Sequence, residues 1–70
     1  MEEIIQISVN GFSETVPVKT TLAQLIVLQK EGDTDLIVEH NGRFVYPDQY
    51  ATTHLLPDDR VEFINPNFGG

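Results

Sequence analysis

The sequence contains no cysteine and few cationic residues. Without thiols, the 70-residue chain can form no disulfide, and it has no thiolate to bind a metal or attack a substrate. We therefore expect a cytoplasmic protein, since small cysteine-free domains suit a reducing compartment. No apolar run approaches the roughly 18 residues that a membrane span needs. The start, Met1-Glu2-Glu3, lacks the basic and apolar regions of a signal peptide.

The shortage of Lys and Arg, four against eleven Asp and Glu, gives a formal net charge of −7. Nucleic acids and anionic membranes are bound through clustered cations, so we expect neither as a partner. A protein with a basic docking face is the charged partner that this balance favours. Acidity that only keeps a small domain soluble explains the charge equally well.

Motifs for catalysis are also missing. The sequence has neither a P-loop nor a G-x-G-x-x-G stretch. The two histidines, His40 and His54, stand without the partners of a metal site or a catalytic triad. Asp58 and Asp59 are adjacent in a predicted turn, where acids are usually solvated. We expect no catalytic residue, no metal ligand and no cofactor bound by this chain, so any chemistry must occur at the terminus.

Alternation of apolar and polar residues predicts a hairpin at the start of the chain. Residues 4–9 have the period of a half-buried strand. The Asn-Gly pair at 10–11 supplies the positive φ angles of a type I′ turn. Residues 12–18 return as a second strand with Val18 facing inward. Pro17 has no N–H to donate, which predicts a strand at the sheet edge.

The next segment predicts one main helix, over residues 21–31. Thr21 and Gln24 have the spacing of a capping box, and Gly32 suits the left-handed position that closes a helix. The apolar face of this helix comprises Leu22, Leu25 and Ile26, broadened by Val27 and Leu28.

Short strands complete the pattern. Residues 35–40 and 43–46 flank a second Asn-Gly turn at 41–42, residues 55–56 plug the core from a loop, and residues 60–64 alternate as a final strand.

A single helix between the second and third strands covers one face of a sheet. The simplest closed arrangement places the last strand in the middle, parallel to the first, because the intervening chain supplies the crossover. We predict an α+β fold, a β-grasp or ubiquitin-like roll with a mixed four- to five-stranded sheet and one main helix on one face. The other face remains open for docking. Residues 1–65 form this domain, and residues 66–70 a flexible C-terminal tail.

The tail ends in Gly69 and Gly70. A C-terminal carboxylate is ionised at neutral pH and can attack the α-phosphate of ATP if a partner enzyme orients both. Glycines without a Cβ can thread a narrow channel, and Pro66 stiffens the base of the tail. A frayed chain end also explains a terminal Gly-Gly. On an acidic domain of the predicted fold, we favour a reactive terminus.

Several segments together resemble one known family. They are the short first strand from near residue 4, residues 21–26, 41–42, Val45, Pro47, 50–51, 56–63 and the closing Gly69-Gly70. With these segments the chain resembles the ThiS family of sulfur carriers, within the ThiS/MoaD group of ubiquitin-like proteins, over nearly its whole length. Asp58 stands where the family often has Gly, and Phe68 stands where a small or aliphatic residue is common.

The resemblance implies a protein co-substrate rather than an enzyme. A ThiF-like enzyme would adenylate the Gly70 carboxylate with ATP and Mg²⁺. Sulfur from a donor such as a cysteine desulfurase would displace AMP and leave a thiocarboxylate. A ThiG-like thiazole synthase would then take the sulfur for the thiazole of thiamine. The partners would recognise the tail, and the free protein would be a monomer. The tail residues are Pro66, Asn67, Phe68 and Gly69.

Two alternatives remain at this point. The tail, with Pro66 before its Gly-Gly end, is also similar to MoaD, the small subunit of molybdopterin synthase. A plain interaction module, or a modifier conjugated to lysines, belongs to a different functional class and would use the same fold.

Overall fold

The structure is a computed structural model that describes residues 3–31 and 35–65. Over these residues the chain forms five strands, one α-helix and one 3₁₀ turn. In chain order they are β1 (Ile4–Val9), β2 (Phe12–Pro17), α1 (Leu22–Leu28), β3 (Ile37–His40), β4 (Arg43–Val45), a 3₁₀ helix (Pro47–Gln49) and β5 (Arg60–Ile64).

The strands form one mixed sheet in the order β2-β1-β5-β3-β4. The last strand lies in the middle, parallel to β1 in the register Val9↔Val61 and antiparallel to β3 in the register Val38↔Phe63. Pro17 ends the edge strand β2, where its missing N–H leaves no ladder bond unmade. The predicted β-grasp arrangement, with a central last strand and one helix, is confirmed.

Both Asn-Gly pairs form the predicted hairpin turns. Asn10 and Gly11 have φ angles of 52° and 85°, and Asn41 and Gly42 have 53° and 83°. These are the left-handed values that a type I′ turn requires at its two central positions. The turns fix the register of each hairpin, and the register decides which side chains point toward the helix.

The core lies between the sheet and α1. Leu22 and Leu25 are fully buried on the face of the helix that covers the sheet, as predicted. The capping box is also present: the Thr21 hydroxyl accepts the Gln24 N–H, and the Gln24 side chain accepts the Thr21 N–H. The buried apolar residues of the sheet and its loops are Ile5, Ile7, Val9, Val16, Val38, Val45, Leu55, Val61 and Phe63.

The helix is shorter than predicted. It ends at Leu28, and Lys30 takes the left-handed conformation with φ of 59°. The Lys30 N–H donates to the Val27 carbonyl and the Glu31 N–H to the Ile26 carbonyl, each at 3.0 Å. This pair of bonds is the Schellman motif. The closing position predicted for Gly32 is therefore taken by Lys30, and Gly32 itself lies outside the described residues.

Four other apolar residues do not join the core as the sequence suggested. Val27 and Leu28 are 74% and 58% exposed, since a helix of two turns buries only its 22/25/26 face. Val18 lies past the end of β2, where Lys19 with φ of 73° turns the chain away. Of the expected 55–56 plug, only Leu55 is buried.

Phe63 is the largest apolar side chain that β5 contributes to the core, and it is 7% exposed. We predict that Phe63→Ala lowers the free energy of unfolding by about 3–5 kcal/mol, because it removes buried area and leaves a cavity. Phe44→Ala is the matched control, since Phe44 is 49% exposed. Urea denaturation measures both, and equal losses would contradict the assigned burial.

Candidate functional site

The predicted site is the C-terminal tail, and its residues lie outside the part of the chain that the structure describes. These are Pro66, Asn67, Phe68, Gly69 and Gly70. The described residues instead show the base of the tail, where β5 leaves the sheet at Ile64. The surroundings of this exit form the candidate site.

The end of β5 is held from both sides. Ile64 lies opposite Ile37 of β3. On the other side, the Phe63 N–H donates a hydrogen bond of 2.8 Å to the side-chain oxygen of Asn10. The last two residues of β5 are thus held by β3 on one side and by Asn10 on the other.

The sheet face opposite the helix carries an apolar row next to this exit. Ile37 and Ile64 are directly paired on it, and Ile64 is 42% exposed. Phe44 of β4 and Tyr46, the residue after that strand, lie beside these isoleucines on the same face. Their rings meet edge to face with centroids 4.6 Å apart, and both are exposed. An apolar surface with aromatic anchors is typical of a protein interface.

An acidic pair lies one step back along the same face. Glu39 of β3 is directly opposite Glu62 of β5, and Phe44 is opposite Glu39 on the other flank. Two like charges in directly opposed positions destabilise a sheet. A cation supplied by a partner would relieve that repulsion, so the pair favours a basic docking surface. We refer to Ile37, Glu39, Phe44, Tyr46, Glu62 and Ile64 as the open-face patch.

Asp59 is buried, contrary to the prediction that both acids of the 58–59 pair are solvated. It is 7% exposed, and one carboxylate oxygen accepts both Nε2 of His40 at 2.7 Å and the Leu56 N–H at 2.9 Å. The other accepts the side-chain amide of Asn41 at 3.1 Å. The expectation that His40 stands alone is therefore also wrong.

These contacts fasten the loop before β5 to the β3–β4 hairpin. Burial by itself would raise the pKa of Asp59, but the hydrogen bonds from His40, the Leu56 N–H and Asn41 outweigh it and lower the pKa below its ordinary value. Asp59 is buried, and the hydrogen bonds of its carboxylate all go to the β3–β4 hairpin or to its own loop. The cluster has a structural role, and the wide separation of His40 and Asp59 along the chain gave no indication of their contact.

Two other expectations concern residues outside this cluster. His54 is exposed, and its backbone bridges Thr21. Asp58 is exposed with φ of 70°, a left-handed conformation that glycine adopts without strain. Within residues 3–31 and 35–65, no group of three or more acidic or histidine side chains could hold a metal ion. No helix in these ranges could span a membrane.

Comparison with known proteins agrees with this geometry. Residues 3–70 match the ThiS family. Among solved structures, the thiamine biosynthesis protein ThiS from Geobacter metallireducens superposes with a TM-score of 0.81 at 26% sequence identity. The match covers 94% of this chain and 100% of that one. No curated protein matches the sequence.

In the part of the chain that the structure describes, the central last strand and the one covering helix define a small ubiquitin-like β-grasp protein. Because the family match spans almost the whole sequence, the chain belongs to the ThiS family. Proteins of this family are small sulfur carriers rather than enzymes.

The Asp59 cluster gives a prediction about stability and pH. Asp59→Asn should lower the free energy of unfolding by about 2 kcal/mol near neutral pH, because an amide cannot accept all three hydrogen bonds. The native carboxyl has a lowered pKa, so its contribution is complete above the unfolded value of about 3.9 and is lost as pH falls through the native value. The difference between wild type and variant should therefore shrink below about pH 4.

Urea denaturation from about pH 7 to about pH 3 measures this dependence. Asp58→Asn is the matched control, because Asp58 is exposed and asparagine tolerates its positive φ. A pH-independent gap between wild type and Asp59→Asn would contradict the assigned role.

Proposed function

We propose that this protein carries sulfur as a thiocarboxylate on Gly70 and delivers it to thiazole formation in thiamine biosynthesis. The observation that supports this most is the match to the ThiS family over residues 3–70, together with a central last strand that ends at Ile64 within the open-face patch. The ThiS family match favours this function over the MoaD-like alternative.

The proposed chemistry proceeds in two displacements. A ThiF-like enzyme binds ATP and Mg²⁺ and directs a Gly70 carboxylate oxygen at the α-phosphorus, which releases pyrophosphate and leaves an acyl-adenylate. A sulfur nucleophile then attacks the acyl carbon, and AMP departs. Sulfide gives the thiocarboxylate directly, whereas a persulfide formed by a cysteine desulfurase gives an acyl disulfide, whose S–S bond a thiol reductant must then cleave to release the thiocarboxylate. A carboxylate is a poor acyl donor, whereas AMP is a good leaving group, so adenylation makes the sulfur transfer feasible.

The chain itself would bind neither ATP nor the metal. Its contribution is to present Gly70 to the activating enzyme and later to a ThiG-like synthase. Gly69, Phe68, Asn67 and Pro66 would occupy the partner's channel. We place the reaction in the cytoplasm, because a chain without cysteine needs no oxidising compartment to form disulfides.

The open-face patch would dock the partners. It lies on the side of the sheet that the helix leaves uncovered, and its apolar row adjoins the exit of the tail. Glu39 and Glu62 would meet cations of the partner, consistent with the net charge of −7. Docking here would hold the base of the tail while its end enters the active site.

The first experiment incubates the protein with a ThiF-like enzyme, Mg-ATP and a sulfur donor, and then measures the intact mass. We expect an AMP adduct without the donor and an oxygen-to-sulfur exchange with it. A variant with residues added after Gly70 should show neither, because its Gly70 carboxylate is consumed in a peptide bond. Its folding should be unchanged, which circular dichroism checks. The proposal fails if the wild type shows neither mass change or if the extended variant shows both.

The second experiment tests the open-face patch. Glu62→Lys places a cation opposite Glu39, so the fold should remain stable. We expect the KM for the carrier in adenylation to rise roughly tenfold, because attraction to a basic partner becomes repulsion. Glu3→Lys changes net charge equally but lies before β1, at the other end of the sheet, and should leave the KM near the wild-type value. Equal effects of both substitutions would indicate general charge rather than docking at this face.

A further inference from the structure

The turn between β1 and β2 contacts the last strand through a side chain as well as through its backbone. The Asn10 N–H donates to the Val61 carbonyl at 2.9 Å, and the Asn10 side-chain oxygen accepts the Phe63 N–H at 2.8 Å. The second bond joins residues 53 positions apart. The last β1–β5 pair is Val9↔Val61. The two Asn10 bonds continue the hydrogen bonding on the β1 side of β5 as far as Phe63.

The side chain replaces backbone that has turned away. In a continuing parallel ladder, a main-chain carbonyl of the neighbouring strand would accept the Phe63 N–H. At this point φ of 52° at Asn10 directs the chain into β2 instead. Asparagine suits both tasks, because it tolerates the left-handed conformation and carries a short side-chain acceptor.

The second Asn-Gly turn holds the other end of β5 in the same way. Asn41 has φ of 53°, and its side-chain oxygen accepts the Arg60 N–H at 2.8 Å. Its own N–H donates to the Arg60 carbonyl at 2.7 Å. The central strand is therefore bonded to one asparagine at its first residue and to another at its fourth. Only the Asn10 bond lies beside the exit of the tail.

We propose that Asn10 is a positioning residue for the activation of Gly70, an inference that rests on the proposed function. β5 ends at Ile64 and leads directly into the residues that carry Gly70. A loosened strand end at Phe63 therefore loosens the point from which Gly70 is presented to the activating enzyme. Misplacement of a reacting group slows the chemical step more than it weakens docking.

Three variants separate positioning from stability. Asn10→Gly keeps the positive φ of the turn and removes the side-chain oxygen. Asn41→Gly is the matched control, because it removes the equivalent bond at the far end of the same strand and also the bond to Asp59. Asn10→Asp retains an oxygen that can accept the Phe63 N–H and tolerates the same backbone conformation.

The experiment measures adenylation by a ThiF-like enzyme with Mg-ATP at varied carrier concentration, at a temperature where all variants are folded. We expect Asn10→Gly to lower kcat about fivefold, the ratio that corresponds to one net hydrogen bond, with little change in KM. Asn41→Gly should keep the wild-type kcat, and Asn10→Asp should restore it. Amide hydrogen exchange by NMR should be faster at Phe63 in Asn10→Gly and at Arg60 in Asn41→Gly.

Each outcome decides a separate question. If both glycine variants lose kcat equally, the effect is one of stability, and the inference is overturned. It is also overturned if Asn10→Gly keeps the wild-type kcat, or if amide exchange at Phe63 is unchanged in that variant. If the wild type itself forms no adenylate, the proposed function fails, and with it the reaction that Asn10 is inferred to serve.

Discussion

β5 is hydrogen-bonded to β1 on one side and to β3 on the other, and it is the strand that joins the β1–β2 hairpin to the β3–β4 hairpin. Without β5, the β1–β2 and β3–β4 pairs would be separate two-stranded units, which are marginally stable in water. The buried residues of both hairpins meet the helix because Val61 and Phe63 fill the middle of the inner face. The cluster around Asp59 and the two Asn-Gly turns act on this same strand, at its start and near its end.

This arrangement also relates the core to the function of the family. The inner face of β5 is packed against the protein, whereas its outer face contributes Glu62 and Ile64 to the open-face patch. The strand that completes the core is therefore also the one that contributes to the open-face patch and that precedes the tail in sequence. Under the proposed function, the partner enzyme would supply the catalytic groups, and this chain would supply the docking face and the Gly70 carboxylate.

Sequence reasoning predicted much of the fold because its signals are local. Alternation, the two Asn-Gly pairs and the Thr21 capping box each act over a few residues, and the central place of the last strand followed from connectivity. The errors concern contacts that depend on register. The partners His40 and Asp59 are 19 positions apart, and the side-chain bonds of Asn10 and Asn41 require strand order to be known. Lys30 takes a position usually given to glycine, so composition could not locate the helix end.

The central position of the last strand has a consequence for synthesis. A ribosome synthesises the chain from its amino end, so Arg60–Ile64 emerges after both hairpins and the helix. Until then, the open edges of β1 and β3 have no strand between them, and their apolar faces are incompletely covered. We expect folding to finish only when β5 inserts between them. A nascent chain that stops short of Arg60 would expose two unpaired edges to chaperones and proteases, and only chains that include all of β5 would persist as folded domains.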